Sequence, residues 1–195
     1  MNFIGIPIIY PKAHLIKKEF NELLLQNPYV NKVIIPQWKK LDANEIKKLK
    51  FSEKYYISQT PLFTHSKRLL LCKFKTNKAY LYNPESGIFY LFGNVQVFTN
   101  VKSFILDVHM VRKGLGNGLI YIRDVFVWDS IYLADLHFED RKQISDVISN
   151  CIETEYLFWN FYPTKYVYFK KDLNDAYYQC ILEESDIQKS LYKKV

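Results

Sequence analysis

Residues 104–148 read FILDVHMVRKGLGNGLIYIRDVFVWDSIYLADLHFEDRKQISDVI, and this stretch decides the fold. In its first part, two sets of residues alternate along the chain. One set is Phe104, Leu106, Val108 and Met110, and the other is Ile105, Asp107, His109 and Val111. Alternation with a period of two places one set on each face of a strand. The glycine-rich residues 113–118 allow the chain to reverse, and Leu119–Trp128 is rich in the residues that favour strands. The pattern therefore predicts a β-hairpin.

A helix is predicted directly after the hairpin. It begins at Phe138, and its apolar face is predicted to consist of Ile144, Val147 and Ile148 at helical spacing. The same reasoning, carried outward, predicts strands over 33–35, 54–58, 68–75, 79–82, 88–92, 95–98, 155–161 and 166–169. Helices are predicted over 11–27, 42–50, 172–184 and 185–194, and a turn over 83–87.

These elements predict one α+β domain over residues 1–195. Its core, a mostly antiparallel β-sheet, is assigned to residues 28–170, and helical flanks are assigned to 1–27 and 171–195. A chain of 195 residues with 49% hydrophobic content is large enough to bury one core. No apolar run approaches the ~20 residues of a membrane span, so no membrane association is expected.

Charge and cysteine content narrow the class of protein. The chain has 27 Lys and Arg against 20 Asp and Glu, and the resulting net charge of +7 favours an anionic partner. Cys72, Cys151 and Cys180 are odd in number, widely separated and in no CxxC pattern. This usage indicates a reducing, intracellular compartment, cytoplasmic or nuclear, and argues against a zinc site. Neither a metal nor a cofactor is expected.

Several segments resemble the nucleotidyltransferase domain shared by messenger-RNA capping enzymes and ATP-dependent ligases. The central one contains Leu106-Asp107, a loop, an aromatic strand with Asp124 and Trp128, and then F-x-x-R at 138–141 before a helix. Upstream, residues 66–68 before an apolar strand resemble the G-K-R that begins the domain. The chain is most similar to the degenerate, cap-binding form of this domain in the snurportin family. The resemblance covers roughly residues 33–148 and implies a nucleotidyltransferase-like fold.

The resemblance also implies that the chain is not an enzyme. In active members, a lysine in K-x-D-G-x-R attacks the nucleotide α-phosphate and forms a covalent adduct. With Arg68 aligned on the arginine, Phe63 stands at the lysine, His65 at the aspartate and Ser66 at the glycine. A phenyl ring cannot be a nucleophile. His109 stands where the next motif of the family has an acidic residue, so two catalytic positions are replaced.

The candidate RNA-binding residues are Trp38, Ser66, Lys67 and Arg68. Trp38 resembles the tryptophan that snurportins place beside the cap, although packing is the commoner role of such a residue. Ser66–Arg68 lies at a strand start, where a basic pair suits a phosphate, and the alternative is a solvated edge. The later stacking tryptophan of snurportins has no counterpart. Either a tyrosine takes its place or the pocket is incomplete, and the later aromatic residues are Tyr162, Tyr166, Tyr168, Phe169, Tyr177, Tyr178 and Tyr192.

Two acids on adjacent predicted strands have two interpretations. Asp107 and Asp124 are either a pair of acids or the structural partners of Arg68 and Arg123, and the absence of metal-ligand spacing favours the second. Trp128, at the end of its strand, is assigned to the core.

The sequence thus predicts a non-catalytic protein that binds RNA at a methylated guanosine cap or at the 5′ end. The alternative is a non-catalytic interaction subunit of a larger RNA-processing, transcription or capping complex, which uses the same fold to bind a protein partner. A third interpretation is an enzyme in which Lys73 or Lys75 has become the nucleophile.

Overall fold

A computed structural model describes residues 6–9, 11–24, 39–40, 55–61, 66–75, 78–98, 100–112, 118–154, 159–163, 166–169 and 187–193. It describes only the backbone of residues 6, 39–40, 55–61, 66–67, 112, 166–169 and 187–193. The chain divides into two compact units, one formed by Met1–Val33 and His65–Pro163 and the other by Ile34–Thr64 and Thr164–Val195. Each unit holds one β-sheet. A single domain over 1–195 stays a prediction, since two compact units can belong to one domain.

The described residues contain two helices and thirteen strands. The helices are α1 (Lys12–Leu24) and α2 (Phe138–Ser149). The strands are β1 (Ile6–Pro7), β2 (Lys39–Lys40), β3 (Tyr55–Pro61), β4 (Ser66–Lys73), β5 (Lys78–Asn83), β6 (Ile88–Val97), β7 (Phe104–Arg112), β8 (Gly118–Trp128), β9 (Ile131–Tyr132), β10 (Ile152–Thr154), β11 (Trp159–Pro163), β12 (Tyr166–Phe169) and β13 (Ile187–Lys193).

The sheet of the first unit has nine strands. Seven of them follow the order β1-β6-β5-β4-β7-β8-β11, while β10 pairs with β6 and β9 pairs with β8. The pairs are antiparallel except for β11, which runs parallel to β8. The predicted α+β class with a mostly antiparallel sheet is therefore confirmed.

The predicted central hairpin is present as β7 and β8. Their register runs from Phe104 opposite Trp128 to Arg112 opposite Gly118, with shifts after Ile105 and after Asp107. Gly118 is needed where the hairpin meets the parallel edge strand. A Cβ there would overlap the carbonyl oxygen of Val111 and lie 2.5 Å from Cζ3 of Trp159. No side chain larger than hydrogen fits this position without a shift of its neighbours.

One face of the large sheet carries the hydrophobic core. Its buried residues recur at alternate strand positions, and they include Leu69, Leu71, Leu81, Leu106, Val108, Met110, Ile120, Ile122 and Val125. Ile148 of α2 and Ile152 of β10 complete this face. Because strand side chains alternate between faces, residues 68, 107, 109 and 121 project from the opposite face. That opposite face holds the candidate site.

The amphipathic helix predicted near the start of the chain is confirmed as α1. Its buried residues are Ile16, Phe20 and Leu24. The Phe20 ring lies 4.8 Å from the Tyr82 ring and 5.4 Å from the Phe89 ring, measured between centroids. These contacts attach the helix to the neighbouring strands β5 and β6.

Helix α2 begins at Phe138 as predicted, but its predicted apolar face is partly wrong. Val147 is 64% exposed. The buried side chains are instead Phe138, Arg141, Ser145, Ile148 and Ser149. The difference arises because polar groups with internal hydrogen-bond partners can be buried, and hydrophobic spacing alone does not detect them. Ile144 is only partly buried, and it packs against the core as predicted.

The sheet of the second unit has the order β12-β3-β13-β2, with antiparallel pairs. The predicted helix over 185–194 is wrong, because Ile187–Lys193 forms strand β13 and pairs with Tyr55–Pro61. This pairing partner lies far away in sequence, and such a contact overrides a weak local helix preference. The predicted strand over 33–35 and the predicted helices over 42–50 and 172–184 lie outside the described residues.

Two predictions about strands need smaller changes. The strands predicted over 88–92 and 95–98 are one strand, β6, in which Gly93 has φ +136° and permits an irregularity opposite Ala79 and Tyr80. The strand predicted over 155–161 is present as β11, which starts later. The predicted turn before β6 is confirmed, since Gly87 N–H donates to the Asn83 carbonyl oxygen at 2.8 Å.

Candidate functional site

Charged side chains cluster at the centre of the large sheet, where strands are normally apolar. Arg68 on β4, Asp107 and His109 on β7, and Arg123 and Asp124 on β8 lie close together in the strand register. All except Arg68 are at most 7% exposed. Burying charges is costly unless they are paired and hydrogen-bonded. A cluster of this kind therefore indicates either a structural network or a functional site.

Arg68 and Asp107 form a bidentate ion pair. Arg68 Nε donates to Oδ1 and Oδ2 of Asp107 at 3.0 and 3.1 Å, and Nη2 donates to Oδ2 at 2.7 Å. The Asp107 side chain is fully buried, whereas the Arg68 side chain is 23% exposed. The carboxylate thus fixes the orientation of the guanidinium. Of the two interpretations of Asp107, the structural partnership with Arg68 is confirmed.

Asp124 has a second arginine partner, from the helix that follows. Arg141 Nε donates to Oδ1 at 2.8 Å and Arg141 Nη2 donates to Oδ2 at 3.0 Å. Arg141 Nη1 also donates to the carbonyl oxygens of Ala134 and Leu136. Burial raises the pKa of Asp124, and its hydrogen bonds and charge interaction with Arg141 oppose the rise. The sequence named Arg123 as the partner of Asp124, and the partner found here, Arg141, ties α2 to β8.

His109 lies beside the Arg68–Asp107 pair. Its side chain is buried, and within the described part of the chain neither ring nitrogen has a hydrogen-bond partner. Burial and the charge of Arg123 lower the pKa of His109 to about 4, and the charge of Asp107 opposes this shift. The imidazole is therefore neutral at pH 7. It contributes no negative charge at the position where the resemblance expects an acid.

The structure describes only some of the residues predicted to bind RNA. Ser66, Lys67 and Arg68 begin β4 and pair with Val111, Met110 and His109 of β7, whereas the pairing of β4 with β5 starts at Leu70. Phosphate contact and a solvated edge both remain predictions for these residues. Of this group the structure describes the side chain of Arg68 alone, and Trp38 and Phe63 lie outside the described residues.

Two of the site's side chains were not recognised from sequence. Arg141 belongs to the F-x-x-R pattern of the resemblance, but nothing in the pattern showed that it pairs with Asp124. Tyr121 had no role in the sequence interpretation, and it lies opposite His109 on β8. Only the strand register reveals this neighbour.

Lys73, a candidate for a relocated nucleophile, is buried at the end of β4. Its Nζ donates to the carbonyl oxygens of Val101 and Lys102 at 3.0 and 3.2 Å. Burial lowers the pKa of Lys73, and the charge of Asp129 opposes this. Donation to two carbonyl groups is the geometry of a lysine that holds a loop against a strand. Lys75, the other candidate, is exposed.

Trp128 closes one end of the core face. It is half-buried, and its ring is stacked on Phe104 with centroids 5.7 Å apart, which fits the predicted core position. It also lines an apolar cleft of about 310 Å³ together with Ile144, Val147 and Ile148 of α2.

In comparisons with known proteins, the sequence matches no family model and no curated protein. Neither α1 nor α2 combines the length and the apolar character that a membrane crossing requires. Across the described ranges, no group of three or more His, Cys, Asp and Glu side chains is arranged to hold a metal ion.

Proposed function

We propose that this chain is a non-catalytic RNA-binding protein with a nucleotidyltransferase-like fold, which recognises a methylated guanosine cap or an RNA 5′ end. The observation that carries the proposal is the Arg68–Asp107 pair beside the neutral His109. Arg68 matches an arginine of the family pattern, and Asp107 holds it in place. His109 stands where the family has an acidic residue, and it carries no charge.

Arg68 supplies the phosphate-binding part of the proposal. A guanidinium offers donors in a planar fork that matches phosphate oxygens, and Asp107 holds this one in a defined orientation. The Arg68 side chain keeps 23% exposure, so it is only partly covered. Ser66 and Lys67 precede it on the same strand and are the proposed additional contacts. The net charge of +7 favours a polyanion as the ligand.

The absence of catalysis rests on two replaced positions. Phe63 stands where a nucleophilic lysine is required, and a hydrocarbon ring forms no bond to phosphorus. His109 is buried and neutral, so it does not offer the anionic oxygen ligand that Mg²⁺ prefers. Lys73 does not substitute for the missing lysine, because its amino group is held by two carbonyl oxygens.

Cap recognition is assigned to an aromatic side chain. A methylated guanine is a delocalised cation with a large flat face, and cations of this kind bind to aromatic rings. Trp38 is the proposed stacking residue, on the strength of its resemblance to the snurportin tryptophan. Replacing it should weaken cap binding while leaving the folded core intact.

Binding of a fluorescent capped oligoribonucleotide to wild-type protein and to Trp38→Ala tests this assignment. The variant should bind more weakly by ~1–3 kcal/mol, the usual loss of a base-stacking ring, with its melting temperature nearly unchanged. Trp128→Ala is the matched control, because Trp128 stacks on the buried Phe104 and its loss should lower stability instead. Equal binding of capped and uncapped oligonucleotides by the wild type would refute cap recognition.

The alternative, an interaction subunit that binds a protein partner, is favoured by one observation. The apolar cleft beside Trp128 leaves Val147 64% exposed. The RNA titration separates the two functions, since a protein of the second kind would bind neither capped nor uncapped RNA even at low salt.

A further inference from the structure

Four side chains form a straight row across four neighbouring strands. Arg68 on β4 lies opposite His109 on β7, and His109 lies opposite Tyr121 on β8. Tyr121 in turn lies opposite Tyr162 on the parallel edge strand β11. Adjacent strands are ~4.8 Å apart, so the row spans about 14 Å. It begins with a cation and ends with two aromatic rings.

The whole row projects from the face opposite the hydrophobic core. On each strand, at least one residue next to a row member belongs to the core cluster or packs against it, and these residues are Leu69, Val108, Met110, Ile120, Ile122 and Phe161. Alternation of strand side chains then places the row members on the other face. The row is thus continuous with the charged cluster around Asp107.

The two tyrosines form the accessible end of the row. Their ring centroids are 6.0 Å apart and their planes are inclined by 35°. Tyr162 is 44% exposed, and Tyr121 is partly buried. Burial raises the pKa of Tyr121, and the nearby Tyr162 adds to the rise. An aromatic surface is therefore present in the same row as an oriented cation.

We propose that Tyr121 and Tyr162 form a stacking surface for the bases of single-stranded RNA, on the same face of the sheet as Arg68. This inference rests on the proposed RNA-binding function and adds a second subsite, separate from cap recognition by Trp38. Stacking on aromatic rings accepts any base, because every base has a flat π face. The subsite therefore binds the nucleotides of the chain without sequence preference.

The chemistry of the row fits a single strand better than a duplex. Bases in a duplex are stacked on each other and present only their edges in the grooves, whereas those of a single strand can stack on protein rings. Nonspecific single-strand binding typically combines aromatic platforms with positive charge along the backbone path. Arg68 supplies that charge within one row of the two tyrosines.

The test measures binding of uncapped fluorescent oligouridylate and oligoadenylate to wild-type protein, Tyr162→Ala, Tyr162→Phe and Phe98→Ala. Tyr162→Ala should weaken both oligonucleotides about 10-fold, a loss typical of one stacking ring. Tyr162→Phe keeps the ring and should bind as the wild type does. Phe98→Ala is the matched control, because it removes a 67% exposed ring of the same unit that is not in the row. Thermal unfolding verifies that each variant is folded.

The outcomes separate this inference from the proposed function. If the wild type binds RNA and Tyr162→Ala binds it equally well, the stacking surface is refuted and the proposed function stands. If Phe98→Ala causes the same loss as Tyr162→Ala, the row has no special role and the inference is also refuted. If the wild type binds neither capped nor uncapped RNA, the proposed function fails and the subsite fails with it.

Discussion

The guanidinium of Arg68 holds both oxygens of the fully buried Asp107 carboxylate, with Nη2 2.7 Å from Oδ2. The two residues are 39 positions apart in sequence, and their contact joins β4 to β7 at the centre of the sheet. The same pair orients the arginine that we assign to phosphate. Stability and the proposed RNA binding are therefore linked at this contact.

Arg68→Met should lower the free energy of unfolding by about 3 kcal/mol, because it leaves the buried Asp107 charge without this cation. Urea denaturation measures the change. Lys142→Ala is the control, since the Lys142–Asp146 pair is partly exposed and its loss should cost less than about 0.5 kcal/mol. If the two variants lost similar amounts of unfolding free energy, the Arg68–Asp107 contact would contribute no more to stability than a partly exposed ion pair.

Protonation of His109 should make the fold less stable in acid. The pKa of His109 is about 4 in the folded protein and about 6.5 when unfolded, so the unfolded chain binds more protons in this window. The stabilising contribution of the neutral imidazole is complete above pH 6.5 and is lost as the pH falls towards 4. The loss reaches up to about 3 kcal/mol.

Denaturation at a series of pH values measures this dependence. His109→Leu should flatten the profile between pH 6.5 and 4, whereas replacing the exposed His137 in the same way should leave it unchanged. The raised pKa of Asp124 acts in the opposite direction in acid, but it is common to both variants and cancels in the comparison. An unchanged slope in His109→Leu would contradict this account of His109.

Gly118→Ala should destabilise the protein by about 1–3 kcal/mol or more, because the new methyl group overlaps the Val111 carbonyl and the Trp159 ring. Gly87→Ala is the control. At Gly87 a Cβ meets no atom within 4 Å, so only the cost of its φ of +69° remains, about 1 kcal/mol. The melting temperatures of the two variants should therefore differ, with Gly118→Ala the lower.

Much of the first unit follows from local pattern. The alternation in β7 and the glycines after it are enough to predict the hairpin, because strand period and turn chemistry are properties of short segments. Strand β13 and the buried face of α2 were not predictable in this way. The first depends on pairing with β3, and the second depends on Arg141 reaching Asp124, seventeen positions away.

The candidate site, too, was predictable from the sequence only in part. The partnership of Arg68 with Asp107 was the favoured one of two interpretations, because the sequence shows no metal-ligand spacing near these acids. The Tyr121–Tyr162 pair was not, because it exists only through the parallel pairing of β11 with β8. Parallel register between strands separated by a helix leaves no mark in local sequence.

Incubation with labelled GTP or ATP and a divalent metal ion should yield no covalent adduct of protein and nucleotide. The reason is that the proposed resemblance places Phe63 at the position of the nucleophilic lysine, while the Lys73 amino group is held by the carbonyl oxygens of Val101 and Lys102. Gel electrophoresis of the labelled protein detects any adduct. An acid-labile, lysine-linked label would overturn the non-catalytic assignment.

Binding of a capped oligoribonucleotide as a function of salt concentration tests the central claim most directly. If Arg68 and its basic neighbours neutralise phosphates, the logarithm of the affinity should fall linearly with the logarithm of salt, with a slope of about −0.7 for each phosphate contacted. At a temperature where Arg68→Met is folded, its slope should be shallower than that of the wild type by the amount for about one phosphate contact. A salt-independent affinity, or no binding even at low salt, would contradict the account.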